Sequence, residues 1–572
     1  MPRFPAQPSD TPIPLPNKKH AFFINSGLLA AAVLLFALPQ PNPLSLNGFP
    51  FLAWFAFIPL FILIRRISFR SSFLWGAVYG ALCYCVYTHW LLVFHPLAMY
   101  IIASLYFFYL MLAVPALKLA DMLFPKRGFI VQWIVWVGYE YLKTLGFNGY
   151  SYGVIGYSQW SWPVIIRIAS IFGVWGVSAL IVFPSAWLAG AFNHSVSVHT
   201  GKHPMVKKLL SGFPAFFCNH RISAVVWALA LVFTLVWGVW IAPRDYSQDP
   251  SVTVALIQPN SDPWMGGHNT YVRDFQTLKR LSNEALASHP EISFVVWPET
   301  AFIPRIDWHY RYREDRLSYD LVVELLEYID TAPVPFVIGN DDAVRERNEL
   351  GILDRVDYNA VFLFRPGVNV IPPEPERYRK MHLVPFTEHF PYRRLFPWIY
   401  NLLIEFDTHF WKKGTEATVF EVDGLHFSSP VCFEDTFGYI SRRFVRNGAR
   451  AIVNLTNDAW ANSASCQYQH LAMAVFRTVE NGVPLVRSTA SGQTAFVDPN
   501  GIVTAMAPSF EQAWLTGTIP LIRNWRPTLY VLWGDILGQG MAVAGFLLLI
   551  WGLLTKLRKE GKINIWTPER RF

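Results

Sequence analysis

Three residues able to do acyl chemistry follow one another along the second half of the chain. They are Glu299 in "FVVWPET", Lys380 in "YRKMHLVPFTEHFP" (378–391) and Cys432 in "SSPVCFED" (428–435). Cys432 precedes two carboxylates, Glu434 and Asp435. Negative charge beside a thiol opposes thiolate formation, so a reactive Cys432 needs a base and a positive charge from elsewhere. Glu299 is the base expected here, although reference values of ~4.3 for Glu and ~8.5 for Cys leave a gap of about 5.7 kcal/mol at ~1.36 kcal/mol per unit. An apolar setting around Glu299 closes most of that gap, because desolvation raises a carboxyl by up to ~3–5 units. Lys380 supplies the charge that stabilises first the thiolate and then the oxyanion of a tetrahedral intermediate. Glu434 orients surrounding groups and need not face the sulfur.

Taken singly, each residue has a plainer reading. Loop Glu and Lys side chains are usually solvated, a Cys after a strand is usually a small buried hydrophobe, and Trp264, Trp411 and Trp460 are more often packing residues. The ordered combination carries the weight. Of the 5 cysteines, Cys432 and Cys466 share one segment, and a structural disulfide between them is the rival to catalysis. The His residues of 243–528 form no H-E-x-x-H pattern and the cysteines no C-x-x-C pair, so neither a metal nor a cofactor is expected.

Those residues require rigid elements behind them. "VTVALIQPN" (252–260), "ISFVVWPET" (292–300), "VPFVIGNDD" (334–342), "NAVFLFRPG" (359–367), "LHFSSPVCFED" (425–435) and "ARAIVNLTND" (449–458) predict buried strands. Residues 270–288, 315–331 and 468–482 carry helical periodicity, and "VDPNG" (497–501) predicts a hairpin turn. This alternation indicates one α/β or layered α+β domain, with the reactive groups exposed at strand ends. The sequon "NLT" (454–456) falls inside a predicted buried strand and is a poor glycosylation acceptor.

The rest of the chain belongs in a bilayer. It has 572 residues, 53% hydrophobic and only 15% charged, against a charged share of about 25% in soluble domains. Eight apolar runs of spanning length are expected near 21–39, 48–64, 73–94, 98–117, 129–146, 164–190, 222–242 and 529–555. Every second connection is basic: Lys18 and Lys19; Arg65, Arg66 and Arg70; Lys126 and Arg127; Lys202, Lys207, Lys208 and Arg221; Lys556, Arg558 and Lys559. The intervening connections at 39–48, 94–98 and 147–162 carry no Lys or Arg. This asymmetry places both termini in the cytoplasm and 243–528 outside. It also accounts for the net charge of +8 without nucleic acid. The first run also has the flank and core of a signal peptide, whose removal leaves the orientation unchanged. The expected organisation is a disordered cytoplasmic 1–20, seven membrane helices in 21–242, an outer domain 243–528, an eighth helix 529–555 and a cytoplasmic tail 556–572.

The order Glu299, Lys380, Cys432 resembles the Glu-Lys-Cys arrangement of the nitrilase superfamily. With "KMHLVPFTEHFP" (380–391), "NDAW" (457–460), "QHLAMAVFRTVENGVPLVRSTASG" (469–492) and the eight-span frame, nearly the whole chain is similar to the apolipoprotein N-acyltransferases. That resemblance implies an αββα sandwich on eight transmembrane helices in a bacterial cytoplasmic membrane, with the sandwich in the periplasm. It implies that Cys432 takes an acyl chain from a phospholipid as a thioester. The chain then passes to the α-amino group of the diacylglyceryl-cysteine of an apolipoprotein. Glu388 and Glu434 carry over as supporting carboxylates and Asn359, Asn457 and Trp460 as further site positions. Trp264 and Phe433 are expected as substrate-binding candidates. Two departures stand out: Phe433 replaces the family's common Tyr, and "ANSASCQYQH" (461–470) introduces Cys466.

Two physical readings accompany the resemblance. "FPWIYNLLIEFDTHFW" (396–411) is an apolar, aromatic segment suited to an interfacial arm or lid, with a core helix as the alternative. Glu140, Lys143 and Arg167 lie in or beside predicted spans and are candidates for lipid-headgroup contact, with interhelical pairing as the alternative. The competing functions are a membrane-tethered amidase or nitrile hydrolase using water, and a membrane scaffold that binds without catalysis.

Overall fold

The computed structural model describes residues 18–94, 97–198, 205–262, 265–347, 351–406, 408–560 and 562. Among them, five helices are long and apolar enough to cross a membrane: Lys19–Ala37, Ala98–Leu123, Val174–Ser195, Gly212–Ile241 and Ile536–Lys559. Three further apolar helices, Ile58–Arg66, Phe69–Tyr87 and Gly128–Leu142, pack among them.

Several expected spans are broken where the backbone cannot continue a helix. The run at 164–190 is divided into Pro163–Ile166, Ala169–Phe172 and Val174–Val198, with Gly173 at φ 63° ending the second piece. The run at 529–555 breaks at Gly534, φ 65°, into Leu529–Trp533 and Ile536–Lys559. The run at 48–64 begins as a 3-10 turn, Pro50–Phe55, before Ile58–Arg66. The basic connection expected before residue 222 is helical from Met205, within Met205–Val236.

The rest of the described chain forms two six-stranded sheets. The strands are β1 Ser251–Gln258, β2 Ile292–Val296, β3 Phe336–Arg347, β4 Leu353–Phe364, β5 Glu376–Arg379, β6 Phe420–Val422, β7 Leu425–Ser428, β8 Ala451–Thr456, β9 Leu485–Thr489, β10 Ala495–Val497, β11 Val503–Met506 and β12 Ala513–Pro520. One sheet runs β12-β1-β2-β3-β4-β5 and the other β11-β10-β9-β8-β7-β6. β1, β2 and β3 are parallel neighbours, as are β7, β8 and β9. These strands are covered on both faces, which is why they appear as continuous apolar runs and not as alternating ones.

The sheets face each other through the stacked rings of Phe294 and Phe427, 5.3 Å apart. The Ser488 hydroxyl on β9 adds a cross-link, lying 3.0 Å from the carbonyl of Ile257 and 3.2 Å from that of Val296. Helices His268–Ser288 and Arg316–Asp330 cover the first sheet through Phe275, Leu278, Leu321 and Leu325. Helices Gly438–Arg446 and Ala464–Asn481 cover the second. The result is a four-layer αββα sandwich.

Helix Ala464–Asn481 also joins the sandwich to the membrane helices. Trp90 donates to Gln469 at 3.0 Å, Gln469 donates to the carbonyl of Pro41 at 2.8 Å, and Glu480 accepts from the Val174 amide at 3.1 Å. Glu140 and Lys143 are buried, and all three ionisable residues near the spans bond to aromatic side chains or backbone inside the protein. Glu140 accepts from Trp136 and Ile155, Lys143 donates to Tyr84 and Tyr152, and Arg167 donates to the carbonyls of Gly238 and Asn500. A buried charge at membrane depth is tolerated only with such partners.

Gly339 on β3 lies against the turn that carries Glu299. A Cβ there would come within 2.7 Å of both the Glu299 Cα and the Pro298 carbonyl oxygen. Gly339→Ala is therefore expected to destabilise the domain by about 1–3 kcal/mol through overpacking. A lowered unfolding midpoint of the purified protein, accompanied by lost turnover, is the result to look for.

Candidate active site

Parallel strands direct the polar residues that follow them to one edge of each sheet. Glu299 follows β2, Lys380 follows β5 and Asn359 sits on β4, all in the first sheet. Cys432 follows β7 and Asn457 follows β8 in the second. The site therefore lies where the two sheet edges meet, and neither sheet holds it alone. Cys432 opens a 3-10 turn, Cys432–Thr436, with φ 49°. Such a left-handed conformation costs about 1–3 kcal/mol at a non-glycine residue and survives only where the surroundings enforce it.

Lys380 is fully buried. Its Nζ lies 2.8 Å from Glu388 Oε1 and 3.4 Å from Glu299 Oε1. With an effective dielectric near ~20, these contacts are worth about 6 and about 5 kcal/mol of attraction. Dehydrating an ammonium costs several kcal/mol, and so does dehydrating each carboxylate, so two partners hold a charge that one would hold poorly. Burial pulls the Lys380 ammonium down, but Glu388, Glu299 and Cys432 outweigh it and push the group above its ordinary value. Lys380 therefore stays charged.

Glu299 is buried, but its setting is polar. Oε1 accepts from Asn359 Nδ2 at 2.8 Å as well as from Lys380, and Oε2 accepts from the Asn457 amide at 3.0 Å. This corrects the expectation of an apolar pocket: donors reach both oxygens. The thiol of Cys432 is shifted upward. Burial pushes it well above its usual value, Glu299 and Asp458 add to that, and Lys380 and a hydrogen bond with Thr456 oppose it. Burial thus favours the protonated thiol over the thiolate in the resting site.

Glu434 faces away from that exchange. Its Oε1 accepts from the amides of Met381 at 2.8 Å and His382 at 2.9 Å, and its Oε2 from the amide of Val431 at 2.9 Å. The Tyr378 hydroxyl lies 2.8 Å from both oxygens. Burial raises this carboxyl, and the Val431 amide, Lys380 and Tyr378 pull against the shift. One buried side chain thereby ties the residue before Cys432 to the two residues after Lys380.

Glu299, Glu388, Asn359, Cys432, Phe433, Asn457 and Trp460 line a cavity of about 380 Å³. Its other wall comes from the membrane helices: Ala98, Ile101, Ile102 and Leu105 present one face of helix Ala98–Leu123, beside Trp90, Leu91, Tyr150 and Tyr152. Phe433 is buried against Phe437 at 5.0 Å, and its ring lies 6.2 Å from that of Tyr150. Trp264 lies outside the described residues. Cys466 lines the same cavity, and it and Cys432 are both free thiols, so the disulfide alternative falls.

The arm at 396–411 forms helix Pro397–Glu405 with only Leu403 buried, while Trp398 is 66% exposed. It is not a core helix. Phe406, Thr408, His409 and Trp411 beyond it reach the cavity. Asp341, Asp357 and His409 bring possible ligand atoms within 4.8 Å of one another. Arg305 at 2.8 Å and Arg355 at 3.1 Å already pair with Asp357, so two guanidinium groups compensate that charge.

Sequence reasoning missed a second buried charge network beside Cys432, formed by Asp435, Asp458, His470 and Arg487. No spacing signals it, because its members come from four different elements.

The chain matches the carbon-nitrogen hydrolase family over residues 253–527 and the apolipoprotein N-acyltransferase N-terminal domain over residues 30–187. It is 46% identical over 555 residues to apolipoprotein N-acyltransferase 1 of Treponema denticola, covering 96% of this chain and 100% of that one. It is 47% identical to apolipoprotein N-acyltransferase 1 of Treponema pallidum, covering 92% and 95%, and 28% identical to apolipoprotein N-acyltransferase of Geobacter metallireducens, covering 91% and 93%.

The protonated thiol has a measurable signature. Because Cys432 is raised well above its usual value, its alkylation by iodoacetamide in the resting protein should be slow at neutral pH and still rising beyond the ~8.5 of an ordinary cysteine. Peptide mass spectrometry across a pH series reads this directly. A plateau reached below that value contradicts it.

Proposed function

The chain belongs to the apolipoprotein N-acyltransferase family, and on that premise we propose that Cys432, Glu299 and Lys380 carry its acyl transfer. The protein is an N-acyltransferase of a bacterial membrane. The donor is a membrane phospholipid and the acceptor the α-amino group of a lipoprotein's diacylglyceryl-cysteine. In the first half-reaction Cys432 Sγ attacks an ester carbonyl carbon of the phospholipid while its proton passes to Glu299. The Lys380 ammonium stabilises the charge that develops at the site. Collapse breaks the ester C–O bond, Glu299 returns the proton to the leaving alkoxide, and a lysophospholipid departs from a Cys432 thioester.

In the second half-reaction the acceptor amine attacks the thioester carbonyl and loses a proton to Glu299. The C–S bond breaks, the proton returns to sulfur, and the acyl chain leaves as an amide. Glu388 keeps Lys380 in place, Asn359 and Asn457 hold Glu299, and Glu434 braces the nucleophile turn. Trp460 and Phe433 contact substrate, and Trp264 is kept as a substrate-binding candidate.

The observation that carries this reading is the shared cavity. One wall holds Cys432 and Glu299, and the other is the Ala98, Ile101, Ile102, Leu105 face of a helix long enough to cross the bilayer. An acyl chain can lie against that face with its ester at the thiol. A water-using hydrolase of small amides has no need of such a wall. The exposed arm around Trp398 suits contact with the bilayer surface at the cavity mouth.

The reading includes a topology of eight crossings, in the helical regions beginning at Lys18, Pro50, Phe69, Ala98, Gly128, Val174, Met205 and Ile536, five of which contain helices long and apolar enough to cross a membrane. It puts both termini in the cytoplasm and the sandwich of 243–528 in the periplasm, and the alternation of basic loops supports that orientation.

Protein purified from its own membranes should carry a fatty-acyl adduct on Cys432 that hydroxylamine removes. Cys432→Ser should abolish transfer to a diacylated lipopeptide. Intact-protein mass spectrometry without any such adduct after incubation with phospholipid contradicts the assignment.

A further inference from the structure

His470 and Asp458 line the same cavity as Cys432, in a network that contains none of Glu299, Lys380 and Cys432. His470 projects from helix Ala464–Asn481, and its two ring nitrogens meet carboxylates on opposite sides. Nε2 is 2.7 Å from Asp435 Oδ1 and Nδ1 is 2.8 Å from Asp458 Oδ1. Both carboxylates are buried, as is the imidazole. To donate to both carboxylates the ring needs a proton on each nitrogen, whereas the Arg487 guanidinium, 2.7 Å from Nδ1, donates there only to a neutral ring.

The two acids sit on the elements that place the reacting groups. Asp435 belongs to the turn opened by Cys432, three residues earlier. Asp458 adjoins Asn457, whose amide donates to Glu299. The groups facing the ring are few and identifiable. Arg487 of β9 approaches Nδ1 at 2.7 Å and also bonds Asp458 at 3.0 Å. Tyr152 of the membrane region presents its ring at 6.5 Å. Cys466 of the same helix lines the same cavity as Cys432 and His470.

We propose that His470, as an imidazolium bridging Asp435 and Asp458, is a positioning residue that fixes the nucleophile turn against the loop holding Glu299. The bridge spans both halves of the proton exchange: one end sets where the thiol sits and the other where its base sits. Losing the second ring proton releases one end, and the distance between thiol and base is then set by looser contacts. This inference rests on acyl transfer through Cys432.

The titration of the ring adds a pH signature. Burial and Arg487 pull the imidazolium down, and Asp435 and Asp458 outweigh them, pushing it up to about 9. Against burial, His470 and Arg487 hold the Asp458 carboxyl below its usual range. The bridge is complete below about pH 9 and is lost as the pH rises through that value.

The test uses full-length protein labelled with [13Cε1]histidine. One histidine resonance, absent from both His470→Gln and His470→Arg, should titrate near pH 9. In His470→Gln, kcat for thioester formation should fall by about tenfold or more with KM for phospholipid nearly unchanged. Wild-type activity should decline above about pH 9, and that decline should vanish in His470→Arg, whose cation does not titrate. A His470 resonance that titrates near the ordinary ~6.5 overturns the proposal. So does an alkaline decline that persists in His470→Arg. The acyl adduct on wild-type Cys432 is scored separately, so a failure of the thioester chemistry is distinguishable from a failure of the bridge.

Discussion

A lysine ammonium with no access to water, held between two carboxylates, is the constraint on which the rest of this structure depends. Lys380 survives burial because Glu388 and Glu299 both reach it. Each carboxylate is fixed in turn: Glu299 by Asn359 and the Asn457 amide, Glu388 by the Val384 amide. Removing any one of these donors leaves a buried charge partly unpaired, so the cluster holds its geometry as a unit. The strained turn at Cys432 is held beside it by Glu434, which grips both chains through amides.

This arrangement makes chemical sense only with the membrane helices in place. The cavity in front of Cys432 is closed on one side by helix Ala98–Leu123, and the sandwich is fastened to those helices through Gln469 and Glu480. A charged site behind an apolar wall can admit an acyl ester while excluding bulk water, which strengthens every electrostatic contact inside it. Burial likewise pushes the Cys432 thiol well above its usual value. On the proposed reading, attack and proton loss occur together, when an ester carbonyl is present to take up the charge.

Much of this was legible in the residues. Strands buried on both faces announced themselves as β-branched runs, and the helices at 270–288, 315–331 and 468–482 by their periodicity; those appear at His268–Ser288, Arg316–Asp330 and Ala464–Asn481. The gathering of Glu299, Lys380 and Cys432 followed from their places at strand ends. What hydropathy could not show were the breaks at Gly173 and Gly534, where single backbone conformations interrupt otherwise apolar runs. Nor could it show that Glu299 sits among donors, because Asn359 and Asn457 are 60 and 158 residues away. The His470 network was hidden for the same reason: its partners meet only once three neighbouring strands of the second sheet and a helix have packed.

The most direct measurement is single-turnover thioester formation in Lys380→Met, compared with wild type at one pH and saturating phospholipid. A buried ammonium that stabilises developing charge predicts a loss of about 10²-fold or more, the scale of removing one such donor. A rate within about tenfold of wild type, in a protein whose sandwich remains folded, contradicts the account.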